Sequence, residues 1–585
     1  MQQILYHLIV AIAVFEFLPS AIAHGHDDTM YMAAAAASSS PAAAEATETV
    51  ISYFQYGEHF GLLLAHITLM TIAWVLVLPI GVSGFRLDLT AMIRTDSPGV
   101  MLSIVKSRYT LLVQFSFIAA NAIALLLATI YNADTPDLYP NNAHHKLGWV
   151  LTWVVSAQVL IGLISAYAGR HETKRAGRGA FMSISTEAMA EHQLFHGEHD
   201  RLSNDSGQGT ERNTGSLRSQ SMSSSSSGEQ DQMPELTKYE DADAAGKCGL
   251  LSGTKLDGFL SAEIPALLSS RVLKAIYLLY KVIDRVMLLL AFLGMSTGVV
   301  TYGGLFMGDR VFSGLAHFIK GGVFFWFGIL TLGRWAGCFA DIGWAWNINP
   351  SSKDRLSAEF VESLLIFIYG CTNVFMEHLN AWGKAWTAQD LEHISITFMF
   401  FGGGLLGMLI ESRMVRELLN ISPATEPFQS EAPPLKSYGF SMNPIPALVV
   451  MLVSMMMSSH HQESMLSTIV HKQWGTLLVG AAFARAATYV VMYLSTPTSI
   501  LPGRPPTELI TAFCLMAGGL IFMASARDSV MTLESYELDA IFIFNIAVGF
   551  ITTLMAWILV VIGIKGWAVR KENRSELAYR SANMP

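Results

Sequence analysis

Charge is scarce in this sequence: Asp, Glu, Lys and Arg make up 14% of 585 residues, against 52% hydrophobic residues. A soluble domain usually carries about a quarter charged residues, so a soluble multidomain protein is excluded and a polytopic membrane protein is implied. A basic excess is also missing. The formal net charge is −9, which gives no electrostatic footprint for nucleic acid, and nucleic acid is not expected as a partner. Cysteine is nearly absent, with only Cys248, Cys338, Cys371 and Cys514, scattered without the spacing of a metal finger or a disulfide framework. Glycine-rich nucleotide-binding motifs and hydrolase triads are missing as well, which leaves any enzyme activity open.

What is present is a series of long apolar runs. The first, within "MQQILYHLIVAIAVFEFLPSAIAHGHDD", has the short apolar core and small-residue site (Ala21-Ile22-Ala23) of a secretory signal peptide. Cleavage after Ala23 is expected, leaving His24 at the start of the mature chain. Because a bilayer core needs about 20 mostly apolar residues per helix, spans are expected near 59–82, 108–131, 145–168, 283–305, 313–334, 358–379, 391–411, 443–459, 468–494, 508–527 and 540–563. The expected fold is therefore an all-α, polytopic helical membrane protein with about eleven spans after a cleaved signal peptide.

Composition divides the chain further. Residues 24–58 form a low-complexity extracytoplasmic tail, and 59–170 a three-span unit. Residues 171–265, with "SQSMSSSSSGEQDQ" near their centre, are too polar to bury a core and are expected to be a disordered cytosolic linker. An eight-span domain over 266–566 and a cytosolic tail over 567–585 complete the chain. Lys and Arg crowd one set of loops, from Arg86, Arg94 and Lys106 to Lys565, Arg570 and Lys571, while the opposite loops carry only Arg310, Lys384 and Arg527. By the positive-inside rule the N-terminus is expected outside and the C-terminus in the cytosol, in agreement with a signal peptide.

On this topology the histidines are asymmetric. His24 and His26 lie on the outer tail, and His59 and His66 at the outer part of the first span. His144 and His145 open the third span, His317 the fifth and His393 the seventh; His378 ends the sixth, and His460, His461 and His471 surround the outer loop before the ninth. An ionisable residue inside a membrane is by default a functional candidate, and hydrogen-bonded packing is its bland alternative. At the inner helix ends, Arg334, Glu359, Glu362, Glu411 and Arg485 are expected to form a structural ion-pair network rather than a site.

His66 and His144 begin two parallel helices from the same side, so they can meet at similar depth. Haem b in a helical bundle is held by histidines on facing helices. Here "HITLMTIAWVLVLPIGV" and "HHKLGWVLTWVVSAQVLIGLI" resemble the first and third core helices of the cytochrome b561 group, which hold one bis-histidine haem. The resemblance implies the pair His66 with His144, whose glycine four residues on is Gly148; His145 is a near alternative. The group's second pair has no counterpart, since neither "RYTLLVQFSFIAANAIALLLATIY", with Gln114 and Asn121 as its polar residues, nor "IDRVMLLLAFLGMSTGVVTYGGL" contains histidine. A single outer haem b, with an electron donor and acceptor as partners, is what this resemblance implies.

The eight-span domain contains "GLAHFIKGGVFFWFGILTLGRWAGCFADIGWAWN", "AEFVESLLIFIYGCTNVFMEHLNAWG", "QDLEHISITFMFFGGGLLGMLIES" and "HHQESMLSTIVHKQWGTLLVGAAFARAATYV". With the first three spans, these segments resemble the fungal Ytp-like family of transmembrane proteins. That resemblance implies a plasma-membrane or secretory-pathway protein and supplies no activity. From the residues alone, His317, His378, His393 and His471, with Glu377, Asp390 and Glu392 beside them, suit a transition metal such as Cu, Zn or Fe. Adjacent residues such as Glu377 and His378 point about 100° apart on a helix, so a carboxylate would rather orient a histidine from another helix. A mature terminus beginning His24-Gly25-His26, with Met30 and Met32 close by, has the nitrogen and thioether donors that copper takes. Three readings therefore stand: a redox protein with one outer haem b, a transition-metal transporter or sensor, and a structural membrane scaffold.

Overall fold

The computed structural model describes residues 52–81, 108–179, 270–348, 356–377, 385–386, 388–419, 440–459, 462 and 464–582. The expected signal peptide, the tail with His24 and His26, and linker residues 180–265 lie outside them, as do His378, His460 and His461. No strand occurs among the described residues.

Among the described residues, eleven long helices stand near the expected positions. The first, α1, runs over Phe60–Thr71, passes through a π-helical turn at Ile72–Val77 and ends with Leu78–Gly81. It is followed by α2 (Arg108–Asp134), α3 (Ala143–Gly179) and α4 (Ser270–Gly303). Then come α5 (Val311–Ala336), α6 (Ala358–Glu377), α7 (Ala388–Glu411) and α8 (Ile445–Ser458). Last are α9 (Met465–Leu494), α10 (Pro506–Ala524) and α11 (Ala540–Ala582). The helix α3 continues through Gly179, so residues 171–179 extend it rather than open a linker.

Among the described residues, eight of these helices are long and apolar enough to cross a membrane, and the protein is an all-α membrane protein. The 14 residues of α8 rise only about 21 Å, less than the roughly 30 Å hydrocarbon core.

Helix ends follow local rules. The Ser464 hydroxyl accepts from the Ser467 N–H and caps α9, satisfying one of the donors that the first turn leaves over. In α10 a proline occupies the first turn, where no N–H is needed. Past α5 the chain turns at Gly337 with φ +98, a left-handed conformation that favours glycine.

The chain divides into two compact units, one of residues 1–149 with 288–585 and one of residues 150–287. In the second unit the described residues are the helical stretches 150–179 and 270–287. The first unit holds every residue discussed below. Its centre is α10, two-thirds buried, with α5 and α9 packed against it around Trp474, Leu478, Leu515, Met516 and Ile521. Elsewhere in this unit, the π-helical turn of α1 buries Trp74. The indole of Trp74 donates to Asn121 Oδ1 on α2 at 2.9 Å. A π turn breaks the regular i→i−4 ladder, and the carbonyl of Val75 within it accepts from the Trp557 indole of α11 at 2.9 Å.

Candidate functional site

The rings of His66 and His144 lie with centroids 6.3 Å apart and planes at 71°. Each is fixed from behind. On His66, Nδ1 is 2.9 Å from the carbonyl oxygen of Ala124 on α2. A carbonyl only accepts, so Nδ1 carries the proton, and Nε2 of the neutral ring carries the lone pair. On His144, Nδ1 is 3.3 Å from Thr297 Oγ1 on α4. The Thr297 hydroxyl donates to carbonyls of its own helix, Leu293 at 2.9 Å and Gly294 at 3.1 Å. It therefore accepts from His144, which again leaves the lone pair on Nε2. The α4 backbone beside this ring is Gly298, where a β-carbon would stand 3.2 Å from His144 Cε1; the missing side chain is what lets the imidazole lie against α4.

The loop before α3 sets which histidine faces inward. Asn141 is left-handed at φ 61, and Asn142 Oδ1 accepts the His145 N–H at 2.7 Å, an asparagine cap on the first turn. The Tyr139 hydroxyl donates to the Leu305 carbonyl at 2.7 Å, tying this loop to the one that follows α4. That second loop is pinned where Asp528 accepts the Phe306 N–H at 2.8 Å. Burial, and then the Asp528 carboxylate, hold the Tyr139 phenol above its ordinary pKa, which keeps it a donor. In this arrangement His145 is exposed, and the structure pairs His66 with His144.

A second pair repeats the geometry. His317 on α5 and His471 on α9 also have ring centroids 6.3 Å apart, with planes at 90°. Each Nδ1 lies 2.8 Å from the carbonyl four residues back, Ser313 for His317 and Ser467 for His471. The other two histidines expected at this site, His378 and His393, have no described side chains, and neither do Glu377 and Glu392. Among the described residues no group of three or more His, Cys, Asp or Glu side chains converges as a metal site.

At the other end of these helices the charged residues form an alternating chain. Arg334 bridges Glu359 at 3.1 Å and Glu362 at 2.8 Å. Arg485 stands 3.5 Å from Glu362 and 2.7 Å from Glu508. The Arg334 guanidinium also lies 4.5 Å from the ring centre of Trp346. Glu508 is a member that the sequence reading missed; its one signal is a carboxylate at the start of an apolar helix, as with Glu359. Glu411, expected in this network, is instead held by two serine hydroxyls, Ser357 and Ser441, each at 2.7 Å. Helix α7 ends there, where the Arg416 guanidinium donates to the Glu411 backbone carbonyl at 3.1 Å.

The comparisons place these elements in a family. Residues 290–566 match the family described as "Protein YTP1-like, C-terminal", and residues 98–168 match a domain of unknown function, DUF2427. A Schizosaccharomyces pombe protein named "Uncharacterized membrane protein C3B8.06" is 32% identical over 531 residues, covering 88% of this chain and 96% of the relative. "Uncharacterized membrane protein YCR061W" of Saccharomyces cerevisiae is 41% identical over 289 residues, 46% of this chain and 45% of the relative. "Protein YTP1" of the same yeast is 24% identical over 218 residues, 37% of this chain and 39% of the relative. No solved structure matches.

Proposed function

The chain belongs to the YTP1-like family of fungal membrane proteins, and we propose that it is a redox protein holding one haem b between His66 and His144. The observation that carries this reading is the spacing of the two rings. A metal–imidazole bond is about 2 Å, so two imidazoles on opposite sides of one metal have ring centres roughly 6 Å apart. The rings here are 6.3 Å apart. The donor set fits as well: both Nδ1 atoms are engaged by protein oxygens, the arrangement that orients ligating histidines and directs Nε2 to the metal.

When bound, haem b supplies a one-electron couple whose potential is tuned by axial ligands, hydrogen bonds and burial. The residues of this chain hold and orient it. Ala124 and Thr297 fix the imidazole tautomers, Asn142 and Tyr139 set the start of α3, and Gly298 leaves room for the His144 ring. With the first span entering from the non-cytosolic side, the centre sits near the outer surface of a plasma-membrane or secretory-pathway bilayer. There it exchanges electrons with a donor and an acceptor on one face.

Haem content tests the reading. Full-length protein purified in detergent is expected to yield one haem b per chain from the 66/144 pair by pyridine haemochrome assay. His66→Ala and His144→Ala are each expected to lose it, while His145→Ala keeps it. Wild-type protein without haem, or variants with undiminished haem, would overturn the proposal.

A further inference from the structure

We propose that the buried chain of arginines and glutamates joining α5, α6, α9 and α10 is a proton-binding site, in which three carboxylates together hold one exchangeable proton. This inference does not depend on haem at His66 and His144.

The argument starts from a count of charges. Arg334, Glu359, Glu362, Arg485 and Glu508 are all buried. Two guanidiniums therefore face three carboxylates, and one negative charge is left over. Nothing positive packed around them makes up the difference. Helix α8 contains no charged residue, and α11 has none before Lys565. Glu411 on α7 is a further acid, its carboxylate held by serine hydroxyls and its carbonyl by Arg416. Tyr489, one turn beyond Arg485, is buried too, but a phenol supplies no positive charge. On the neighbouring loops Arg504 is exposed to solvent and Asp341 is another acid.

Glu508 is a second and independent sign. It is fully buried with Oε1 2.7 Å from Arg485 Nε, yet neither of its oxygens, nor that Nε, has a hydrogen-bond partner. Glu362, by contrast, accepts from Arg334 at 2.8 Å and from Arg485 at 3.5 Å. An ionised carboxylate has two oxygens that only accept, and burying one without donors is costly. Taking up a proton removes the surplus charge, which is how buried ionisable groups avoid carrying it into a low dielectric. A metal ion has no equivalent place here. Arg334 occupies the space between Glu359 and Glu362, and Arg485 that between Glu362 and Glu508.

The network is also covered, so bulk water does not neutralise it. The ring of Trp346 is centred 4.5 Å from the Arg334 guanidinium and 6.0 Å from that of Arg485. Its backbone is left-handed at φ 51, a strained conformation for a bulky residue. Contacts on both sides hold it there: the Ala345 carbonyl accepts the Gly503 N–H at 3.0 Å, and Asn347 Nδ2 donates to the Ile500 carbonyl at 2.8 Å. Strain of this kind persists only where the surroundings impose it, and it gathers at functional sites.

Infrared spectra of full-length protein in detergent test the count. A protonated carboxyl has a C=O stretch distinct from that of a carboxylate, and it shifts when the proton exchanges for deuterium. Wild-type protein at neutral pH is expected to show this band and its shift in heavy water. Glu359→Gln, Glu362→Gln and Glu508→Gln are each expected to lose it, because removing any one of the three acids balances the charges. Glu411→Gln is expected to keep it. A merely structural chain of ion pairs would leave every carboxylate ionised and give no such pattern. Gel filtration selects the variants that fold, and any one of the three decides the matter. A haem centre contributes equally to the spectra being compared, so its presence or absence does not affect the result. If a folded variant of the three keeps the wild-type intensity, or if Glu411→Gln loses it, the proposal is overturned. Loss of the wild-type band in sodium chloride would assign the surplus charge to a metal cation and overturn it as well.

Discussion

Gly321 and Gly519 cross backbone to backbone: a β-carbon on Gly321 would stand 2.6 Å from the Gly519 carbonyl oxygen, and one on Gly519 would stand 2.5 Å from that of Gly321. In a membrane, where lipid tails are as apolar as side chains, helix association relies on this kind of close packing between small residues. The crossing sits one turn from His317 and fixes α5 against α10. Gly321→Val is therefore expected to destabilise the bundle by about 1–3 kcal/mol or more, the usual cost of overpacking. Gly549, with nothing within 4 Å of a β-carbon, is the control, and Gly549→Ala should leave the melting temperature in detergent nearly unchanged.

The alternating charges at the far end of the same helices make a sharper contrast. Glu508 is fully buried and stands 2.7 Å from Arg485. Removing one partner leaves the other charge buried alone, at about 3–5 kcal/mol. Glu508→Ala and Arg485→Ala are each expected to lower folded yield and thermal stability sharply. The pair replaced together by Met at 485 and Leu at 508 should recover part of the loss. Equal losses in single and double variants would show that the ion pair itself is not what the site depends on.

Alkaline pH reports on the loop that sets His144. The Tyr139 phenol is held above its ordinary value by burial and by Asp528. As pH rises through the phenol value of about 10, the unfolded chain loses this proton first and binds fewer protons than the folded one. Stability then falls with increasing pH until the folded-state pKa is reached. Thermal melts across the alkaline range should show that decline in wild-type protein and a shallower one in Tyr139→Phe. At neutral pH the variant should be weaker by about 1 kcal/mol for the lost hydrogen bond to Leu305.

Much of this architecture is legible in the sequence because hydropathy and helix length are local properties. The ruler of about 20 residues finds positions that become α1 to α11. It does not see what depends on contacts between distant segments. Whether His144 or His145 faces His66 turns on the Asn142 cap and the Tyr139 tie to Leu305, and neighbouring residues on a helix look alike from sequence. Thr297 and Ala124, which fix the ring tautomers, carry no signal of their own: one is a threonine among apolar residues, the other acts through its carbonyl. Glu411 and Glu508 exchange places for the same reason. Both are single carboxylates at helix ends, and only packing decides which meets a guanidinium and which meets two serines. The ring contact of His317 with His471 spans 154 residues, and no local pattern in the sequence marks it.

The haem proposed at His66 and His144 is tested directly by near-infrared magnetic circular dichroism of the oxidised full-length protein. Charge-transfer bands characteristic of a low-spin haem with two imidazole ligands are expected. They should vanish in His66→Ala and in His144→Ala and persist in His145→Ala. A spectrum without haem, or one showing a ligand other than two imidazoles, would contradict the assignment of this pair as the redox centre.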